Sequence, residues 1–179
     1  MHTTKEYAPH WVREDFIDFI AEKIDPIWAW KKIKAELTGS RKLSADFVQL
    51  QLRPNHNFHY LDYSAGQSVL VTVVIGGVRQ QRSYSVVDVL ENGQIVIAVK
   101  RQGKVSNALT ALQPGAVVEI SQPQGEFVLS AVHKPRLMIA SGSGITEILA
   151  LAKGHVFQSS HPLDLIYFSR DEAYWNELK

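Results

Sequence analysis

Arg82, Ser83, Tyr84 and Ser85 stand in a row inside the segment 78–87, directly after a Gly76-Gly77 pair. In an extended chain side chains alternate, so Arg82 and Tyr84 share one face. A guanidinium pairs bidentately with phosphate, and an aromatic ring offers a flat stacking surface. The Ser85 hydroxyl can donate or accept a hydrogen bond. Together these groups suit a ligand that is anionic at one place and planar at another. Taken alone, the four residues are equally compatible with a strand carrying an exposed Arg and a half-buried Tyr.

Three later stretches add to this. After a strand pattern over 94–101 comes Gly103-Lys104-Val105-Ser106-Asn107, opening a short helical pattern through Val105, Leu109 and Leu112. A glycine before a helix start is suited to anions, because unpaired N–H groups and the helix dipole favour negative charge. Pro123-Gln124-Gly125-Glu126-Phe127 closes the β region. Ser141-Gly142-Ser143-Gly144-Ile145-Thr146 then follows the apolar strand 136–140. In this order and at these spacings, the four motifs closely resemble the ferredoxin–NADP reductase superfamily of flavoprotein reductases, over a span from about Ala45 to Leu178.

The elements that must position these residues are legible in periodicity. Trp11, Val12, Phe16, Phe19, Ile20 and Ile24 make one apolar helical stripe, which Pro26 should end. A second helical stretch is expected over Ile27–Leu37, so that residues 1–40 form a helical N-terminal extension. Its tryptophans pack on the chain's own domain or face a protein partner or membrane edge. From Ser44 the period becomes two, with Val48, Leu50 and Leu52, then Val69, Val71 and Val73. Gly76-Gly77 and Asn92-Gly93 signal hairpins, and Pro114-Gly115 a further turn before the strand 116–121. Many short strands joined by tight turns predict an all-β antiparallel barrel over 41–132. Residues 133–179 then read as strand 136–140, Gly turn, helix 147–153, strand 163–168 and a last helical stretch through Trp175 and Leu178. This is the start of an α/β parallel nucleotide-binding domain, expected to be incomplete because a doubly wound sheet needs two such halves.

Composition narrows the chemistry. The chain has 179 residues, 45% hydrophobic, a net charge of +1 and no cysteine. Nothing in that balance calls for nucleic acid or a charged membrane. Disulfides, a thiol nucleophile and any cysteine-ligated cluster within these residues are excluded. Without an apolar leader or a run long enough to span a bilayer, the expectation is a cytoplasmic protein. His56 and His59 have ligand-like spacing but no third partner nearby, and Asp62 and Asp88 make no convincing carboxylate pair.

The resemblance assigns roles. It implies a Greek-key flavin barrel with one inserted short helix, FAD or FMN as cofactor, and NADPH or NADH as substrate. Arg82, with Ser83 beside it, would pair with the flavin pyrophosphate. Tyr84 would stack on the isoalloxazine ring, and Ser85 would sit near N5, where hydride arrives; these two are the catalytic candidates. Val99 and Lys100 would line the flavin through backbone contacts, while Gly103, Lys104, Val105 and Ser106 would hold phosphate. Gly142, Ser143, Gly144 and Thr146 match the turn that faces nicotinamide and the flavin edge, where small residues let two rings approach. Glu147 stands where the family usually has proline. Ser169 and Arg170 follow the strand that recognises the adenosine ribose, and an Arg there favours NADPH. The implied enzyme passes electrons singly to a ferredoxin-type [2Fe–2S] or other one-electron acceptor of an oxygenase or desaturase system, with any cluster outside this chain. A flavin-binding module with a regulatory or scaffolding role is the competing reading.

Overall fold

The computed structural model describes residues 14–130 and 134–170. Six strands close into an antiparallel barrel: β1 (Ile33–Lys42), β2 (Phe47–Pro54), β3 (Ser68–Ile75), β4 (Val78–Val89), β5 (Ile95–Lys100) and β6 (Val117–Ile120). Their order around the barrel is β1-β2-β5-β4-β3-β6. Strands β3, β4 and β5 follow one another by hairpins, and β6 returns beside β3, which is Greek-key connectivity. Inward-facing side chains, among them Leu37, Leu50, Leu52, Val69, Val71, Ile95 and Ile97, are fully buried or nearly so and fill the interior. The helix α2 (Lys104–Thr110) sets Val105 and Leu109 into the same core.

A second layer follows. Strands β7 (Arg136–Ser141) and β8 (Leu163–Phe168) pair in parallel, joined through helix α3 (Ile145–Gln158). Its core is shared: Met138, Ala140, Ile145, Ile148, Leu149 and Leu151 pack with Phe47, Val87 and Ala98 of the barrel.

The N-terminal region departs from the expectation. Helix α1 spans Glu14–Ala21, and the expected stripe positions Trp11 and Val12 lie outside the described residues. The second helix over Ile27–Leu37 does not form; the barrel begins at Ile33 instead of residue 41. The reason lies in where the backbone carbonyls find partners. Asn55 Nδ2 donates to the carbonyls of Ile27 and Lys32, and Asn57 Nδ2 to those of Ala29 and Lys32. With Pro26 breaking the helical path, these long-range bonds replace the missing ones between successive turns. Charged groups hold the segment down further. The buried Lys34 ammonium donates to Glu22 Oε1 at 2.7 Å and to the Pro26 carbonyl at 3.1 Å, and buried Asp18 accepts from the Trp30 N–H at 2.9 Å. On the other side Phe16, Phe19, Ile20 and Ile24 are exposed. The last helical stretch, expected through Trp175 and Leu178, lies outside the described residues.

Candidate functional site

Strand β4 changes partners at a defined point. Residues Val78 to Ser85 pair with β3, whereas β5 pairs β4 only from Val86↔Ile97 to Val89↔Ile95, across an irregularity between Val86 and Asp88. Past Val86 and Ile97 the two strands part. The opening between them is a cleft of about 610 Å³, lined on one side by Arg82, Ser83, Tyr84 and Ser85 and on the other by Ala98 and Lys100. The loop Gln102–Ser106 and the start of α3, with Ser143, Gly144, Thr146 and Glu147, complete the wall. Segments far apart in sequence thus meet in one cleft.

The side chains differ in how firmly they are held. Arg82 is exposed, its Nη1 donating to the Gln81 carbonyl at 2.6 Å. Tyr84 is half-buried against the barrel core. Burial pushes its phenol above the ordinary value, and the neighbouring Arg82 charge pulls it partly back. The ring therefore stays neutral at ordinary pH. Ser85 is buried at 7% exposure; its hydroxyl donates to Glu147 Oε1 at 3.1 Å and accepts from Thr146 Oγ1 at 3.3 Å. Ser106 is committed to the start of α2, accepting from the N–H groups of Gln102 and Gly103, each at 3.0 Å. That leaves Lys104 and the loop backbone as the anion-facing groups there.

Strand alternation separates Val99 from its neighbours. Its side chain is wholly buried in the barrel core, while Ala98 and Lys100 line the cleft. Ser169 and Arg170 also stand apart from it, at the end of β8. With Ser141, Gly142 and Phe168 they line a second cavity of about 410 Å³. Phe47 and Lys100 line both cavities, and the Lys100 ammonium sits 5.4 Å from the Phe47 ring centroid. This partition is absent from the sequence reading. Phe47 begins a strand with no chemical signature of its own, and only the β2–β5 register sets it opposite Lys100.

The lining fits an anionic, partly planar group. Among the described residues three cations, Arg82, Lys100 and Lys104, face one carboxylate, Glu147. Gly142 sits at φ 53°, a left-handed conformation that explains its glycine. Gly103 and Gly144 have no positive φ, and a Cβ on either would meet nothing within 4 Å. The fold itself does not require glycine at those two positions. Both border the cleft, where the lack of a side chain lets a ligand approach the backbone.

Residues 34–129 match the family model for the oxidoreductase FAD-binding domain. The chain belongs to that family. It is 29% identical over 153 residues to a flavohemoprotein from Burkholderia sp. (strain TH2), covering 83% of this chain and 39% of the relative. It is 28% identical to phthalate dioxygenase reductase from Burkholderia cepacia, covering 82% of this chain and 47% of that protein. Among solved structures, the flavohemoglobin from Malassezia yamatoensis with bound FAD and heme superposes with a TM-score of 0.74 at 25% identity, over 82% of this chain and 41% of the other. The chain thus spans less than half the length of these relatives. The FAD-binding barrel that the sequence motifs implied is the fold observed, and FAD is the cofactor of the family. Among the described residues no helix is long and apolar enough to cross a membrane.

Proposed function

We propose that this chain is the flavin-holding part of an NAD(P)H-dependent reductase that feeds electrons singly to an iron–sulfur or other one-electron acceptor, such as that of an oxygenase system. One observation carries the reading: Arg82, Tyr84 and Ser85 on β4 meet the loop 102–106 and the start of α3 in a single cleft. FAD bound there supplies the conversion between hydride transfer and single-electron steps. The chain's own residues bind and orient. Arg82 and Lys104 hold the pyrophosphate, the first by a forked pair and the second as a point charge. The neutral Tyr84 ring flanks the flat part of the ligand, and Ser85 reaches its edge. Gly144 keeps the wall low enough for a second ring to approach. Ser169 and Arg170, in the second cavity, take the nicotinamide nucleotide, with Arg170 favouring a 2′-phosphate. Phe47 and Lys100 line both cavities, so the nucleotide held at Ser169 and Arg170 has its ring end beside the flavin cleft. Similarity to phthalate dioxygenase reductase and flavohemoproteins supports an oxidoreductase of this type.

Titrating FAD into the purified chain tests the reading directly. Uptake of FAD is expected, and Arg82→Ala should weaken it by about 1.5–3 kcal/mol, roughly 10- to 150-fold in Kd. Unchanged affinity would remove the pyrophosphate from Arg82. Bleaching of the yellow protein by NADPH supports the reductase. Bleaching by dithionite alone favours a flavin-binding module without turnover, and acid release followed by chromatography separates FAD from FMN.

A further inference from the structure

The Ser85 hydroxyl has one proton and two lone pairs. Its proton goes to Glu147 Oε1 at 3.1 Å. The Thr146 hydroxyl donates toward Ser85 Oγ at 3.3 Å, while also lying 3.0 Å from the Ser143 carbonyl. A carboxylate is an acceptor only, so Glu147 fixes the direction of the first bond. What Ser85 has left for the cleft is a lone pair.

Glu147 is well placed to impose this. It stands in the first turn of α3 (Ile145–Gln158), where the helix dipole favours negative charge. Among the described residues it is also the one acidic side chain lining the cleft, against Arg82, Lys100 and Lys104. Ser85 and Thr146 are 7% and 6% exposed, so water competes poorly for these bonds. Turning the Ser85 proton into the cleft would take from Glu147 a charge-assisted bond of the stronger kind.

We propose that Glu147 is a positioning residue that captures the proton of Ser85, so that Ser85 meets the edge of the bound flavin ring as a hydrogen-bond acceptor and not as a donor. This rests on the reading of the cleft as the FAD site. The ring nitrogen N5 accepts hydrogen bonds when the flavin is oxidised; uptake of two electrons and one proton there turns it into an N–H donor. A serine held as acceptor complements the second form and offers the first nothing. The chemical identity of residue 147 thereby decides which form of the ring the serine favours.

The test uses FAD labelled with nitrogen-15 at N5, bound in the oxidised form to the full chain, and reads the N5 chemical shift, which moves upfield when N5 accepts a hydrogen bond. Wild type and Ser85→Ala should give the same shift, because Ser85 donates nothing to N5. Glu147→Ala should move it upfield, and Ser85→Ala in that background should reverse the move. Glu147→Gln, which keeps an acceptor oxygen for Ser85, should resemble wild type. The midpoint potential of wild type should lie above that of Ser85→Ala by about a fivefold change in the ratio of reduced to oxidised flavin, ~20 mV for a two-electron couple. An upfield shift in wild type that Ser85→Ala abolishes would overturn the proposal while leaving the FAD site intact. That comparison needs no substitution at Glu147, so it decides the matter even where Glu147→Ala fails to fold. A wild-type chain that takes up no FAD would remove the site and the proposal together.

Discussion

The barrel and the β7–α3–β8 layer deal with the edges and faces of a sheet in opposite ways. In the barrel every strand has two neighbours, and a single interior takes the apolar side chains of all six. In the second layer each strand has one partner among the described residues, and its two faces differ. Met138 and Ala140 turn toward α3 and the barrel, whereas Leu137, Ile139, Ile166 and Phe168 on the other face are 43–61% exposed. The inner face is completed by barrel residues Phe47, Val87 and Ala98. The layer therefore leans on the barrel for its core, while the barrel encloses its own. The candidate cleft lies where the self-contained unit gives way to the dependent one, and its walls come from both.

The contrast makes graded predictions. Leu52→Ala, at a wholly buried position inside the barrel, should cost about 2–5 kcal/mol, read as a lower midpoint in urea. A smaller loss would mean that the interior is less well filled than its burial implies. Gly66→Ala strikes the seam between the two regions. Gly66 has φ 98°, and a Cβ there would lie 2.1 Å from the Phe127 carbonyl oxygen and 2.7 Å from Leu151 Cδ2 of α3. Backbone strain alone costs about 1–3 kcal/mol, and the clash adds to it. The near-ultraviolet signal and FAD affinity should fall together, because α3 carries part of the cleft; loss of stability without loss of affinity would uncouple the layer from the site.

The barrel also carries a titratable group whose proton its burial holds. Tyr63 donates to the Val86 carbonyl at 3.1 Å, and its phenol is pushed up to about 12, chiefly by burial and then by the Asp88 charge. A phenol whose folded value exceeds its unfolded value binds its proton more tightly in the folded state. Its contribution is complete below pH 10 and is lost as pH rises toward about 12. Urea unfolding across that window should show the decline, and Tyr63→Phe should flatten it. A parallel decline in the variant would assign the effect to other groups. Least of all, Ile139→Ala on the exposed face of β7 should stay within about 0.5 kcal/mol of wild type by the same unfolding measurement. A cost comparable to that of Leu52→Ala would mean that this face is covered.

Much of the architecture is readable from local pattern because its causes are local. Gly76-Gly77 has both residues at positive φ and joins β3 to β4, and Asn92-Gly93 lies in the turn between β4 and β5. The strand expected over 163–168 forms over those residues. The misreading of Ile27–Leu37 as helix has a non-local cause. Its backbone partners, Asn55 and Asn57, sit more than twenty residues away, and no window of local periodicity contains them. The same holds for the site. The motif residues Arg82, Tyr84 and Ser85 announce themselves by type, but Phe47 reaches the cleft only through strand register, and the alternation of β5 sends the Val99 side chain into the core, leaving its backbone for the contact expected of it.

The sequence by itself determined which residues can bind an anion, flank a ring or bend the chain sharply, since those properties belong to side chains and to turns of two residues. The tertiary structure alone decided that β4 and β5 part at Val86 and Ile97, and that Ser85 finds Glu147 across 62 positions of chain. Barrel closure brings such groups together through contacts whose energy depends on the whole fold. No short stretch of sequence records it.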